Sequence, residues 1–201
     1  MGIYFNPGNS GFAQICRGEY VDKTGLIKLV NQRINGPDNL LCVSRPRRFG
    51  KSYAAKMLCA YYDCSCDSQE LFEKKKIAGT KAYGVHLNQY NVVYLDITGF
   101  ISAAQRQGIF LREVPNIIVE AIRDELFLLD PELPPEKSLT DCLIRHVEKP
   151  DGKKFVFIID EWDAVIREAA NDKIAQKAYL NLLREWFKNN NFTSKVVAAA
   201  Y

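Results

Sequence analysis

The residue types best suited to chemistry lie in two short segments of the sequence. The first, Ser44–Ser52, ends in Gly-Lys-Ser and is followed by a segment of helical character, Tyr53–Tyr62. The second, Phe155–Glu161, has five apolar residues followed by Asp160 and Glu161. A loop ending in Gly-Lys-Ser before a helix offers backbone N–H groups and a lysine to phosphate oxygens, and carboxylates at a strand end can hold a cation. The two segments together predict a nucleoside triphosphate site.

Each segment supplies residues for a specific role in such a site. Lys51 would reach the β- and γ-phosphate oxygens, and Ser52 would hold Mg²⁺. Asp160 would hold the same ion, and Glu161 would polarise the water that attacks the γ-phosphate. The usual pattern GxxxxGK(S/T) would place glycine where this chain has Arg45. The alternative is a basic surface loop before a helix, with the two carboxylates capping the next helix.

The loop concentrates positive charge where a phosphate would bind. The residues that we expect to contact the nucleotide are Arg45, Pro46, Arg47, Arg48, Phe49, Gly50, Lys51, Ser52 and Tyr53. Arg47 and Arg48 could instead act on the nucleotide of a neighbouring subunit, bind DNA or RNA, or pair with acidic residues such as Asp163. The sequence leaves these alternatives open.

The composition is that of an ordinary globular protein with one α/β domain. The chain has 201 residues, of which 47% are hydrophobic and 25% charged, so disordered and membrane classes are disfavoured. A net charge of +3 is too small to indicate nucleic-acid binding by itself. No signal-peptide pattern and no membrane-spanning run is visible, so we expect a cytoplasmic location with free cysteine thiols.

Strands alternate with helices along the chain. This order predicts a parallel sheet with helices on both faces, the three-layer α/β fold of P-loop NTPases. The predicted strands are Asn39–Val43, Asn91–Asp96, Phe155–Glu161 and Ser194–Tyr201. The predicted helices are Tyr20–Ile34, Tyr53–Tyr62, Ala103–Leu129 (which Pro115 starts or kinks), Ser138–Glu148 and Ala175–Asn189. The polar, lysine-rich residues Ser65–Gln89 are expected to form a surface excursion anchored by Leu71 and Phe72.

The chain is expected to have two structural parts. Residues 1–38 should form an N-terminal segment whose helix packs on the core, and residues 39–201 should form the P-loop core. Asp22 or Thr24 is the expected N-cap of the first helix. Asp22 and Lys23 are expected to organise that helix start, and their position before the P-loop strand could instead line the adenine side of the site.

Three stretches resemble a known family. They are Tyr20–Thr24 (YVDKT), the loop Ser44–Ser52 (which contains RPRRFGKS) and Ile159–Asp163 (IDEWD). They look like the AAA-ATPase-like domain of bacterial proteins that often carry a PD-(D/E)xK nuclease-like segment further on. The pattern of that family reads approximately YVDKT, RPRRFGKS and IDEYD, with tyrosine in place of Trp162. By this resemblance, Arg45 belongs to the family's own form of the loop.

The resemblance implies ATP and Mg²⁺ as ligands and Mg²⁺-dependent ATP hydrolysis in the complete protein. It also implies a parallel sheet in which the Asp-Glu strand is separated from the P-loop strand by the fourth strand. Family members continue past a segment like Ala199–Tyr201 into a polar sensor residue and a fifth strand, so a chain truncated after the fourth strand is expected. The alternative is a nucleotide-dependent switch or nucleic-acid-associated module with little turnover, and self-association is left open.

Overall fold

The computed structural model describes residues 2–43 and 49–201, which have an α/β fold. The strands are β1 (Asn91–Asp96), β2 (Phe155–Asp160) and β3 (Val197–Ala200). The α-helices are α1 (Ser10–Cys16), α2 (Gly25–Asn31), α3 (Lys51–Tyr62), α4 (Gln69–Phe72), α5 (Tyr83–His86), α6 (Ile97–Arg106), α7 (Val114–Leu129), α8 (Leu139–Val147), α9 (Ala164–Glu168), α10 (Lys173–Phe187) and α11 (Asn190–Val196). Two compact units are present, one of Met1–Tyr94, Lys153–Ile158 and Val197–Tyr201, the other of Leu95–Gly152 and Ile159–Val196.

The three strands form a parallel sheet in the order β1-β2-β3. Residues Phe155–Ile158 of β2 are all buried, as expected for a strand that is covered on both faces. The prediction of strands at 91–96 and 155–160 is confirmed. The last predicted strand is shorter than expected, because α11 occupies its first residues and only Val197–Ala200 is extended.

The predicted strand Asn39–Val43 is wrong in extent. It is present as a single parallel bridge between Leu40 and Ala200. The N–H of Leu41 donates to the carbonyl of Ala200 (2.8 Å), while the side-chain amide of Asn39 donates to two main-chain carbonyls of β3. Because β3 ends at Ala200, the residue of this bridge, residues 41–43 have no further residues of β3 to pair with. This segment lies beside β3 on the side away from β2, which is the strand order that the resemblance implies.

The N-terminal residues pair with the opposite edge of the sheet. Phe5 forms an antiparallel bridge with Val93, and the N–H of Asn6 donates to the carbonyl of Val92 at 2.8 Å. The Asn6 side chain also accepts a hydrogen bond from the N–H of Val92 at 2.7 Å. The sequence pattern gave no indication of this pairing.

Helix α3 is the central helix of the first unit. Its prediction is confirmed, although it begins at Lys51 rather than Tyr53. Residues Met57–Tyr62 are all buried, whereas Ser52 and Tyr53 in the first turn are exposed. A helix that is buried around its whole circumference over its second half is fixed by packing rather than by an amphipathic face. The exposed residues of α3, which are Ser52, Tyr53 and Lys56, therefore all lie in its first half.

The expected surface excursion at Ser65–Gln89 is partly wrong. Phe72 is fully buried, as the predicted anchor requires, but Ile77 in a 3₁₀ turn is 1% exposed and belongs to the same core. Phe72 stacks on the ring of Phe12 with a centroid distance of 5.2 Å. The lysines around these residues made the segment look polar, although its apolar residues are packed inside.

The second unit is mainly helical. Pro115 lies in the first turn of α7 and therefore starts that helix, while Ile118, Ile122 and Leu126 form its buried stripe. The predicted helices at 103–129, 138–148 and 175–189 are confirmed as α6 with α7, α8 and α10. Within the described residues, no helix combines the length and apolar character needed to cross a membrane.

A buried carboxylate links the ends of α7 and α8. Asp130 is 6% exposed, and its Oδ2 lies 2.9 Å from Nδ1 of His146, while Lys149 donates to Oδ1. Burial alone would raise the pKa of Asp130, but the hydrogen bonds from Lys149 and His146 outweigh it and lower the pKa below its ordinary value. The ionised carboxylate therefore stabilises the folded state.

Replacing this carboxylate should make stability less dependent on pH. We expect Asp130→Asn to cost about 2 kcal/mol near neutral pH, or roughly 4–8 °C in Tm. A lowered folded pKa gives stability that is present above the unfolded pKa of about 4 and lost as pH falls through the folded value. Thermal unfolding followed from neutral pH to about pH 3 should therefore show the Tm values of wild type and Asp130→Asn approaching each other as the pH falls. The exposed control Asp151→Asn should match wild type throughout, and a pH-independent deficit in Asp130→Asn would contradict the assignment.

Candidate functional site

Lys51 and Ser52 occupy the first turn of α3. Gly50 before them has φ 75° and ψ 36°, in the left-handed region that glycine tolerates. Lys51 is half-buried, whereas Ser52 is exposed. The first turn contains no acidic residue, and the first N–H groups of a helix lack partners within it. The start of α3 therefore has the positive potential that attracts a phosphate group.

A lysine from another part of the first unit contacts this helix start. Nζ of Lys23 donates a hydrogen bond to the carbonyl oxygen of Phe49 at 2.7 Å. A Cβ atom at position 50 would lie 2.7 Å from the same Nζ. A larger residue than Gly50 would therefore displace the lysine and would also be strained at this φ. The sequence pattern missed this contact, because nothing local links positions 23 and 49.

The described part of the loop is its C-terminal end. Four of the residues expected to contact the nucleotide lie outside the described residues and stay predictions: Arg45, Pro46, Arg47 and Arg48. Phe49 and Tyr53 are described, and they expose 59% and 53% of their surface. Both aromatic rings are therefore accessible beside Gly50.

Asp160 and Glu161 lie at the C-terminal end of β2. Asp160 is the last residue of the strand and is 8% exposed. Glu161 has φ 53°, a left-handed conformation that is uncommon for a residue with a side chain. Its carbonyl accepts the N–H of Ala164 at 2.8 Å, which closes a turn before α9. The sharp turn directs the chain away from the strand directly after the two carboxylates.

Arg167 pairs with two carboxylates of this turn. Its Nη1 lies 2.9 Å from both Oδ atoms of Asp163, and its Nη2 lies 3.1 Å from Oε2 of Glu161. Burial alone would lower the pKa of Arg167, but the hydrogen bonds to Asp163 and Glu161 and the charges of these carboxylates together raise it. Sequence reasoning missed Arg167, although the spacing of four residues from Asp163 on a helix was an available signal.

Asp96 has a structural role at the end of β1. Its Oδ1 accepts the N–H of Gly99 at 3.2 Å, which caps the start of α6. Lys51 and Ser52 belong to the first unit, whereas Asp160 and Glu161 belong to the second. The side chains that could bind a ligand or take part in a reaction therefore lie at two places. One is the start of α3 together with Lys23, and the other is the end of β2 together with Arg167.

A Gly-Lys-Ser helix start and an Asp-Glu strand end in an α/β fold are features of many proteins that bind nucleoside triphosphates. The model of the AAA-ATPase-like family, described as a predicted AAA-ATPase, matches residues 8–200. The chain therefore belongs to the AAA-ATPase-like family, which confirms the resemblance seen in the sequence. No curated protein and no solved structure matches the chain. The family supports an ATPase-like function and nucleotide binding at a coarse level.

Proposed function

We propose that this protein binds ATP together with Mg²⁺ and hydrolyses it to ADP and phosphate. The observation that carries the proposal is the start of α3, where a left-handed glycine precedes Lys51 and Ser52 at the positive end of a helix. Family membership supports a nucleotide as the ligand. The order of the two motifs along the chain supports assigning both of them to one nucleotide.

The phosphate groups are assigned to the loop and to the first turn of α3. Main-chain N–H groups after Gly50 donate to phosphate oxygens, and the ammonium of Lys51 reaches the β- and γ-phosphates. The absence of a side chain at Gly50 leaves room for the Lys23 ammonium beside the loop end. The loop residues Arg45, Arg47 and Arg48 add positive charge around the same groups.

Ser52 and Asp160 are assigned to the metal ion. Both provide oxygen donors, which Mg²⁺ prefers, and the hydroxyl of Ser52 lies in an exposed helix turn. Asp160 is largely buried, and a buried carboxylate is stabilised by a nearby positive charge. In chemical type, both side chains therefore suit Mg²⁺. When bound, Mg²⁺ would supply positive charge to the β- and γ-phosphate oxygens.

Glu161 is assigned as the general base. Its carboxylate accepts a proton from water while the water oxygen forms a bond to the γ-phosphorus, and the bond from that phosphorus to the bridging oxygen of ADP breaks. Its left-handed backbone supports this role, since strained residues concentrate at functional sites. The hydrogen bond from Arg167 restricts the orientation of the Glu161 carboxylate.

Phosphate release with and without available Mg²⁺ tests this proposal. We expect the purified protein to release phosphate from ATP, and excess EDTA to lower the rate by roughly 10²-fold, because the positive charge on the phosphates is lost. Adding Mg²⁺ beyond the EDTA should restore the rate. ATP binding without measurable release would contradict hydrolysis and favour a nucleotide-dependent switch. Release that is unaffected by EDTA would contradict the metal assignment.

A further inference from the structure

The motif Tyr20–Thr24 lies outside the two segments assigned to the nucleotide and has a hydrogen-bond network of its own. Its carboxylate, Asp22, accepts hydrogen bonds from the N–H and hydroxyl of Thr24 and from the N–H of Lys76, at 2.9, 2.7 and 2.9 Å. The Thr24 hydroxyl in turn accepts the N–H of Ile77 at 3.2 Å. Thr24 stands at the N-cap position of α2, but its side chain makes no capping bond there. Asp22 and Thr24 therefore join two chain segments rather than cap a helix.

The same motif is attached to α3. The hydroxyl of Tyr20 lies 3.2 Å from Sδ of Met57 in that helix and accepts the main-chain N–H of Lys23 at 3.1 Å. The Tyr20 ring also makes an edge contact with Phe12 at 5.2 Å between centroids. The backbone of Lys23 is consequently fixed relative to α3. Its side chain extends from this fixed point to the carbonyl of Phe49.

The Lys23 ammonium is exposed and therefore accessible to a phosphate group. It lies next to Gly50, directly before Lys51 and at the end of α3 where the helix dipole is positive. Within residues 2–43 and 49–201, no carboxylate forms an ion pair with Lys23. The carbonyl oxygen of Phe49 accepts the hydrogen bond of Lys23 but carries no full negative charge to balance the ammonium. A phosphate group at this helix end would supply that negative charge.

We propose that Lys23 is a second phosphate-binding lysine of this site. In this role its ammonium donates to an oxygen of the phosphate chain of the nucleoside triphosphate, while the hydrogen bond to Phe49 holds it beside Gly50. The inference rests on the proposed nucleotide binding. It also explains the motif Tyr20–Thr24, which positions the ammonium of Lys23, a residue outside the loop, beside the end of the loop.

Binding of a fluorescent ATP analogue with Mg²⁺ to Lys23 variants tests this inference. We expect Lys23→Gln and Lys23→Met to weaken binding about 10-fold, the value of one charge-assisted hydrogen bond. Lys23→Arg, which keeps the charge, should stay within about 3-fold of wild type. The control Lys28→Gln removes an exposed lysine from α2 and should leave affinity unchanged. Circular dichroism and Tm establish that each variant is folded.

Salt separates a direct phosphate contact from an indirect effect on the loop. If Lys23 contacts the phosphate through its charge, the loss of affinity in Lys23→Gln relative to wild type should become smaller as the salt concentration rises, because ions screen the interaction. A deficit that salt does not change would overturn direct contact, and so would wild-type affinity in Lys23→Gln. If the wild type itself bound no ATP, the proposed function would fail first. Wild-type binding with unaffected Lys23 variants would overturn this inference alone.

Discussion

Replacing Lys51 with alanine is expected to lower ATP affinity by about 10²-fold, beyond the range of an ordinary calorimetric titration. Lys51 is the first residue of α3 and follows the left-handed Gly50. Its ammonium is assigned to the β- and γ-phosphates, where a charge-assisted hydrogen bond is stronger than a neutral one. The loss should therefore exceed the loss expected for Lys23, which assists from outside the loop.

The substitution should preserve α3, because alanine is the residue that favours helices most. Lys56→Ala provides a matched control, since it removes an exposed lysine from the same helix. It should bind ATP as wild type does. Equal ATP affinity in Lys51→Ala and wild type would contradict the phosphate role of Lys51. Equal losses in the two variants would point to a general effect of charge instead.

The elements that hold these residues could be predicted because their patterns are local. The apolar run that ends in Asp160 identifies β2, and the Gly-Lys-Ser signal identifies the start of α3 to within two residues. The buried stripe of α7 follows from helical spacing in the same way. In each case the side chains that determine the element are neighbours in sequence.

The contacts that orient the candidate site residues could not be predicted, because they join distant positions. Lys23 and Phe49 are 26 residues apart, and their hydrogen bond depends on how Tyr20–Thr24 packs on α3. Residues 39–43 pair with β3 through a single bridge because β3 ends at Ala200, and the periodicity of the segment does not reveal where its partner strand ends. Tertiary packing decides such features, and a single sequence contains no local signal for them.

Replacing Glu161 with glutamine is expected to leave ATP binding intact and to lower phosphate release by about 10²–10⁴-fold. The amide has nearly the shape of the carboxylate, and its oxygen can still accept a hydrogen bond from Arg167. The amide oxygen is too weak a base to accept a proton from water at neutral pH. Binding and turnover should therefore separate in this variant, unlike in Lys51→Ala, where both should fall.

Glu168→Gln is the matched control, because it neutralises an exposed glutamate at the end of α9, in the same helix as Arg167. Steady-state phosphate release and analogue binding should both match wild type in this control. Wild-type turnover in Glu161→Gln would contradict the assignment of Glu161 as the general base. A parallel loss of binding and turnover would instead give Glu161 a role in holding the nucleotide or the fold.

A single-turnover experiment locates the defect of Glu161→Gln in the chemical step. With protein in excess over ATP, wild type should convert bound ATP to ADP quickly, whereas the variant should hold intact ATP for much longer. If the bound ATP were cleaved at the wild-type rate and only release were slow, the general-base role would be wrong. Persistence of intact ATP would show that the carboxylate after β2 acts on water, since its neutral analogue keeps the geometry but cannot take the proton.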